Sequence, residues 1–314
     1  MALRLSRRLG CHVDRGRRHG RLLPQAKLVV ADETAIPRRR RGVLCIGGTD
    51  PTGGAGLSAD VRTGAGVGLD VATVVACVTV QSERGVGAVH LVPGDVVGAQ
   101  AEAALATARP AAIKVGALGS AAAAETVAAF VQRARLPVVL DPVLAASAGG
   151  SLAPPAVRRL LFTTLASRST VVTPNRPELE AWVGEAAPDL ASVMECARHV
   201  AATVETAVCV KGGHGPADGV VVDVLALPSG EVVRYEHPRR PGGPFRGTGC
   251  TFATALAAGL AAGRGLVDAV AEAVAYVDAA WQTSRLACSA ASTPGLAVPK
   301  LVPAPEKVVR IVRE

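Results

Sequence analysis

From residue 42 onward, short runs of β-branched and other apolar residues alternate with longer stretches of helical periodicity, and this alternation restricts the fold more than any other feature. Strand-like runs fall at 42–46, 71–80, 112–115, 137–140, 170–172 and 207–210. Helical patterns lie between them, one carrying Asp60 and others beginning near Asp95, Ser120 and Pro155. Parallel strands must be joined by long crossovers, so this order predicts βαβ units. The expected architecture is α/β, a mostly parallel central sheet with helices on both faces. A hairpin is predicted for 219–227 and 231–237 about Pro228-Ser229-Gly230, followed by two last helices. No internal repeat and no interdomain linker interrupts the pattern.

Polar residues are placed unevenly on it. Asp50, Gln81, Asp141, Asn175 and Lys211 each fall just past the carboxyl end of a predicted strand. Ligands of open α/β sheets bind at that edge, where connections leave a topological switch point in opposite directions. Five such residues on one edge point to an active site. Taken singly each has an ordinary reading: Asp50 and Asp141 as turn formers before proline, Asn175 as a helix cap, Lys211 as a solvated strand end.

The stretch 246–263, RGTGCTFATALAAGLAAG, runs from a loop rich in Pro and Gly through Gly247-Thr248-Gly249 into an alanine-rich helix with Cys250 in its first turn. Amides at a helix start lack intrahelical partners and carry the positive end of the helix dipole, so such a turn can hold an anion. The same field favours a thiolate at Cys250, which is expected to act as a base or nucleophile near neutral pH. A small buried cysteine at a Gly-rich helix entry is the plainer alternative.

Charge and cysteine usage remove other classes. The formal net charge of +8 resides in residues 1–41, where eleven Arg and Lys27 face Asp14, Asp32 and Glu33. The remaining 22 basic and 23 acidic residues nearly cancel, so no nucleic-acid partner is expected of the body. Segment 1–41, lacking the apolar stretch of a secretory signal, is read as a disordered basic extension or a misassigned start, with an RNA- or surface-binding tail or an organellar presequence as the alternatives. Seven cysteines form no CxxC pair, and no run approaches a membrane span, so a reduced, cytoplasmic setting is expected. GxxxxGK[ST], GxSxG and paired histidines at metal-ligand spacing are all absent.

In order along 43–286, the chain resembles the ribokinase-like small-molecule kinases, and among them the hydroxymethylpyrimidine and phosphomethylpyrimidine kinases of thiamine biosynthesis. The matching residues are Gly48-Thr49-Asp50-Pro51-Thr52-Gly53-Gly54-Ala55-Gly56 with Ala59-Asp60, Thr79-Val80-Gln81, Lys114-Val115-Gly116 and Val139-Leu140-Asp141-Pro142-Val143. They continue with Thr173-Pro174-Asn175 and Glu178, Val210-Lys211-Gly212-Gly213-His214, and Gly247-Thr248-Gly249-Cys250-Thr251. The resemblance implies ATP-dependent phosphorylation of a hydroxymethyl group on an aminopyrimidine, and of its monophosphate in a second step.

It further implies that Cys250 takes the substrate proton while the amides of Gly247, Thr248 and Gly249 stabilise the transferring phosphoryl group. Asp141 and Glu178 would help hold Mg²⁺. Asn175, Lys211 and Gly213 would face the nucleotide, and Gly48, Asp60, Gln81 and Ala117 the substrate. Relatives of this kind are commonly dimers, so analogy suggests a homodimer. On this reading a kinase domain spans 42–290 and a tail 291–314.

Four positions depart from the pyrimidine-kinase pattern. Arg246 replaces His before Gly-Thr-Gly-Cys, Ala117 replaces Met, Ala146 replaces a Lys, and Ser82-Glu83 replaces Asn-Thr. Arg246 is a candidate phosphate ligand that would offset the Lys missing at 146. The space at Ala117 and the lost Lys favour an alternative substrate, pyridoxal or another hydroxymethyl heterocycle. A non-catalytic ligand-binding relative is the third reading.

Overall fold

The computed structural model describes residues 42–314 except 83, 147–148, 215–218, 243–244, 288–294 and 300–301. The basic segment 1–41, Glu83, Ser147-Ala148 and Cys288 therefore lie outside the described residues.

Among the described residues ten strands form one sheet in the order β10-β9-β8-β7-β6-β5-β4-β1-β2-β3. They are β1 (Val43–Thr49), β2 (Val71–Ser82), β3 (Gly85–Leu91), β4 (Ala112–Val115), β5 (Val138–Leu140), β6 (Val171–Val172), β7 (Ala207–Val210), β8 (Val220–Ala226), β9 (Val232–Pro238) and β10 (Arg310–Arg313). The run from β2 through β1, β4, β5 and β6 to β7 is parallel; β3 and β8 to β10 are antiparallel additions at the two edges. Side chains alternate across this sheet, so Val43 and Cys45 enter one core and Leu44 and Ile46 the other. Strands buried on both faces read as continuous apolar runs, which is why they were recognisable.

Among the described residues eight α-helices cover the two faces. α1 (Gly56–Gly66), α7 (Thr248–Ala261) and α8 (Leu266–Ala287) pack on the Val43 side. α2 (Gly94–Ala108), α3 (Ala121–Ala134), α4 (Pro155–Leu160), α5 (Arg176–Val183) and α6 (Leu190–Val204) cover the other. Local chemistry sets several starts: Ser120 accepts from the Ala123 amide at the head of α3, and Asp189 and Ser192 form a capping box on α6. The small residues of α7 let it run buried between the sheet and α8, with Gly259 against Ala269.

Two elements depart from the sequence reading. The segment Gly85–Leu91, which the sequence reading assigned to no element, is β3, paired with β2 from Cys77 to Ser82. The segment 291–314, read as a tail, ends in β10, and Val232 and Glu314 exchange backbone hydrogen bonds of 3.2 and 2.8 Å. Leu296 and Val309 are buried in the core.

The chain leaves β1 toward β2 and β3, then returns across β1 to β4 and continues outward to β7. The switch point therefore lies between β1 and β4, with residues after Thr49 and after Val115 at its mouth.

Candidate active site

A cavity of about 910 Å³ opens over the carboxyl ends of the parallel strands. Asp50, Gln81, Asp141, Asn175 and Lys211, predicted to share one edge, all line it. So do Gly48 and Ala117 at the switch point, Glu178, Gly213, and the α7 turn from Gly247 to Cys250. Arg246 is not among the lining residues.

The α7 turn depends on two glycines for different reasons. Gly247, its N-cap, adopts φ +76°, and a side chain there would overlap the Gly54 carbonyl oxygen. Gly249 is helical, but a Cβ on it would sit 3.2 Å from Lys211 Nζ and 3.5 Å from Asp141 Oδ2. The helix start thus faces the Lys211–Asp141 pair directly. Lys211 Nζ donates to Asp141 Oδ1 at 2.7 Å. Burial disfavours the ammonium, yet Asp141 and Glu178 hold its pKa above the ordinary lysine value.

Asn175 and Glu178 are committed to each other. The Asn175 side chain accepts from the Glu178 amide at 2.9 Å, and Glu178 Oε2 accepts from the Asn175 amide at 2.8 Å. This is a capping box at the start of α5, so the cap reading of Asn175 holds alongside its place in the cavity wall. Burial pushes the Glu178 carboxyl up to about 7, Lys211 pulling it down and Asp141 pushing it further up.

Three expectations change in the folded chain. Cys250 was expected to be a thiolate. Burial pushes its thiol up to about 11; Lys114 lowers it, while Asp60 and Asp141 raise it, so the resting group is a thiol at neutral pH. Burial is the largest of these influences, and it acts against the charged form.

Asp60 was expected to meet the substrate. It does line the floor of the cavity, but its carboxylate is buried on α1, receives Lys114 Nζ at 3.0 Å on both oxygens, and accepts from the Thr254 hydroxyl at 2.8 Å. Arg246 was expected to reach a phosphate. It is 4% exposed, with Nη2 2.8 Å from Asp50 Oδ2 and Nη1 2.7 Å from Thr52 Oγ1.

Lys114, Thr254 and the far lobe of the cavity were not singled out for roles by sequence reasoning. A lysine inside the apolar run Ala112-Ile113-Lys114-Val115 was the one clear signal, and it does not name its partner. In the far lobe Phe245 and Trp281 meet edge to face at 4.8 Å, and Arg240 forms a two-pronged pair with Asp278 at 2.6 and 3.0 Å.

Carboxylates are hard oxygen donors, the type that suits Mg²⁺, and of those lining the cavity Asp141 and Glu178 are the two expected to meet the ion. Among the described residues no cluster of three acidic, His or Cys side chains forms a complete cage. Such a pair fits an ion that keeps part of its water shell and is shared with a ligand's phosphates.

An open, mostly parallel sheet with its cavity at a β1/β4 switch point, a Gly-Thr-Gly-Cys turn starting α7 and a lysine–aspartate pair opposite it is the arrangement of a ribokinase-like kinase. The fold matches Staphylococcus aureus pyridoxal kinase, solved with AMP-PCP and pyridoxal, at a TM-score of 0.74 and 23% identity over 88% of this chain and 98% of that one. It also matches the phosphomethylpyrimidine kinase of Clostridium difficile at 0.64 and 25% identity, over 76% and 98%.

The phosphomethylpyrimidine kinase family model matches residues 50–294, and the chain belongs to that family. The hydroxymethylpyrimidine/phosphomethylpyrimidine kinase of Rhizobium meliloti is 36% identical over 76% of this chain and 89% of its own. The thiamine biosynthesis multifunctional protein of Corynebacterium efficiens is 40% identical over 70% of this chain, which spans only 30% of that longer protein. Among the described residues no helix is long and apolar enough to cross a membrane.

Proposed function

We propose that the chain transfers the γ-phosphoryl group of ATP to the hydroxymethyl group of 4-amino-5-hydroxymethyl-2-methylpyrimidine, and to its monophosphate in a second round, in thiamine biosynthesis. The observation that carries this reading is the meeting of the α7 turn, Cys250 and the Lys211–Asp141 pair at the middle of one cavity, in a chain of the phosphomethylpyrimidine kinase family.

The substrate ring would lie toward Gly48, Ala117 and Gln81, and the nucleotide toward Gly213 and the lobe of Phe245 and Trp281. Phosphoryl transfer demands positioning and charge neutralisation more than covalent chemistry. The first-turn amides of α7 would receive the equatorial phosphoryl oxygens, and Lys211 would neutralise charge on the bridging side. Cys250 would accept the hydroxymethyl proton. Its high resting pKa leaves little thiolate but makes it a strong base when formed, with Lys114 beneath it the largest influence favouring that form.

Asp141 and Glu178 would hold Mg²⁺ through water, and the ion supplies further charge neutralisation on the phosphates. Asp60, engaged with Lys114 and Thr254, would shape the floor of the pocket and not bind the pyrimidine.

Release of ADP from Mg-ATP in the presence of the pyrimidine alcohol, its monophosphate, pyridoxal and related alcohols tests the assignment. Preference for the pyrimidine alcohol is expected; kcat/KM higher for pyridoxal would overturn it in favour of a pyridoxal kinase, and turnover of none of them would leave a ligand-binding relative.

A further inference from the structure

The loop from Asp50 to Gly56 forms one wall of the cavity beside the α7 turn, and it is fastened from both sides. On the inside Arg246 reaches it with two nitrogens, one to Asp50 Oδ2 at 2.8 Å and one to Thr52 Oγ1 at 2.7 Å. The same Asp50 carboxylate accepts from the Thr52 amide and hydroxyl at 3.0 and 2.8 Å and from the Ala55 amide at 2.9 Å, so the loop is wound around the group that Arg246 grips. On the outside Arg62 donates to the Gly53 carbonyl.

Arg246 also bridges to Gly295, and Gly295 packs so closely on Gly54 that a Cβ there would come within 2.7 Å of the Gly54 Cα. Arg246 immediately precedes Gly247, the N-cap of α7. One side chain therefore ties the substrate-side loop to the residue that starts the anion turn. Arg246 and Asp50 are 4% and 3% exposed, and the remaining guanidinium nitrogen, Nε, is buried without a hydrogen-bond partner among the described residues. Such a group has exchanged its water for a fixed geometry, which a loosely placed surface arginine does not do.

We propose that Arg246 is a positioning residue that locks the 50–56 loop against the start of α7, so that the substrate alcohol and the phosphoryl-binding amides are held in one frame. This rests on the kinase reading given above. It replaces the idea of Arg246 as a phosphate ligand, since its two donating ends are directed at Asp50 and Thr52. Misplacing reacting groups by even about 1 Å can cost on the order of 100-fold in rate, so such a lock bears directly on turnover.

The test uses the full chain with Arg246→Ala, Arg246→Lys and Asp50→Asn, each first checked for a cooperative melt. Hydrogen exchange without any substrate reports the lock itself. In Arg246→Ala the amides of Thr52 and Ala55 are expected to exchange at least tenfold faster while those of β4 and β7 are unchanged. Unchanged exchange at Thr52 and Ala55 would overturn the proposal, whatever the true substrate is.

Kinetics with Mg-ATP and the pyrimidine alcohol report its consequence. KM for the alcohol is expected to rise at least tenfold and kcat to fall, KM for ATP to stay within twofold, and tens of millimolar guanidinium to restore part of the activity of Arg246→Ala but not of Lys211→Ala. Arg246→Lys should be intermediate. A loss confined to the phosphorylated substrate, with the alcohol handled normally, would mean direct phosphate contact and would overturn the positioning role. Should Arg246→Ala fail to melt cooperatively, Asp50→Asn, which keeps the arginine but weakens its partner, carries the same comparison. Absence of turnover by the unmodified protein would overturn the kinase reading while leaving the exchange result to decide the lock.

Discussion

Lys114 and Asp60 form an ion pair closed off from solvent beneath the active site, with Nζ 3.0 Å from both carboxylate oxygens and exposures of 1% and 0%. Thr254, one turn after Cys250 on α7, completes it by donating to Asp60 at 2.8 Å. The pair thereby links β4, α1 and α7. Burial costs each ion its hydration, and what holds the lysine charged is the carboxylate against it, which keeps its pKa above the ordinary value.

Removing one partner should be far worse than removing both. Lys114→Met or Asp60→Ala alone is expected to lower stability by about 3–5 kcal/mol, because each strands a buried charge, whereas Lys114→Met with Asp60→Leu should recover most of the loss. Urea denaturation of the three variants measures this; additive losses in the double variant would show that the charges do not compensate one another.

Cys250→Ala is expected to reduce kcat by about 10²–10⁴-fold, the range for loss of a general base, with the nucleotide dissociation constant changed little. Steady-state kinetics beside calorimetric titration with an ATP analogue separates the two. A variant as active as the parent would remove Cys250 from the chemistry.

The state of Cys250 before substrate binds has its own signature. Because burial holds its pKa up at about 11, the thiolate fraction should still be rising tenfold per pH unit between pH 7 and 10. Iodoacetamide labelling followed by peptide mass spectrometry should show that slope at Cys250. A plateau below pH 8 would mean that the helix-start field outweighs desolvation after all.

Gly247→Ala and Gly249→Ala should fail in different ways. At 247 the alanine must hold φ near +76° against the Gly54 carbonyl, so loss of melting temperature is expected. At 249 the backbone is helical and the methyl enters the space between the α7 amides and Lys211, so turnover should fall by about 10²–10³-fold with the melting temperature retained. Thermal melts paired with kinetics on both variants give the contrast.

Truncation after Val309 would delete β10 and the reciprocal Val232–Glu314 bonds. At about 1 kcal/mol per backbone hydrogen bond lost, a destabilisation of a few kcal/mol is expected, with KM values unchanged because the edge lies far along the sheet from the β1/β4 switch point. Melting curves of the truncated chain would expose β10 as dispensable if they were unshifted.

The parallel core was legible because strands buried on both faces must be apolar throughout, and the polar residues that end them stand out by contrast. Asp50, Gln81, Asp141, Asn175 and Lys211 could be assigned to one edge for that reason. The antiparallel additions were harder to read. Gly85–Leu91 carries two glycines and a histidine, and Arg310–Arg313 is half charged, so neither looks like a buried strand; both sit on edges where pairing, not burial, defines them.

By itself the sequence determined the order of the elements, the edge on which polar residues gather and the Gly-Thr-Gly-Cys turn at the start of α7, because periodicity, strand ends and backbone freedom are properties of neighbours along the chain. Only the tertiary structure decided which charges meet. Asp60 with Lys114 and Arg246 with Asp50 are brought together across 54 and 196 positions. The protonation of Cys250 was likewise decided there, since it depends on how far folding removes water from the thiol and which carboxylates it sets nearby.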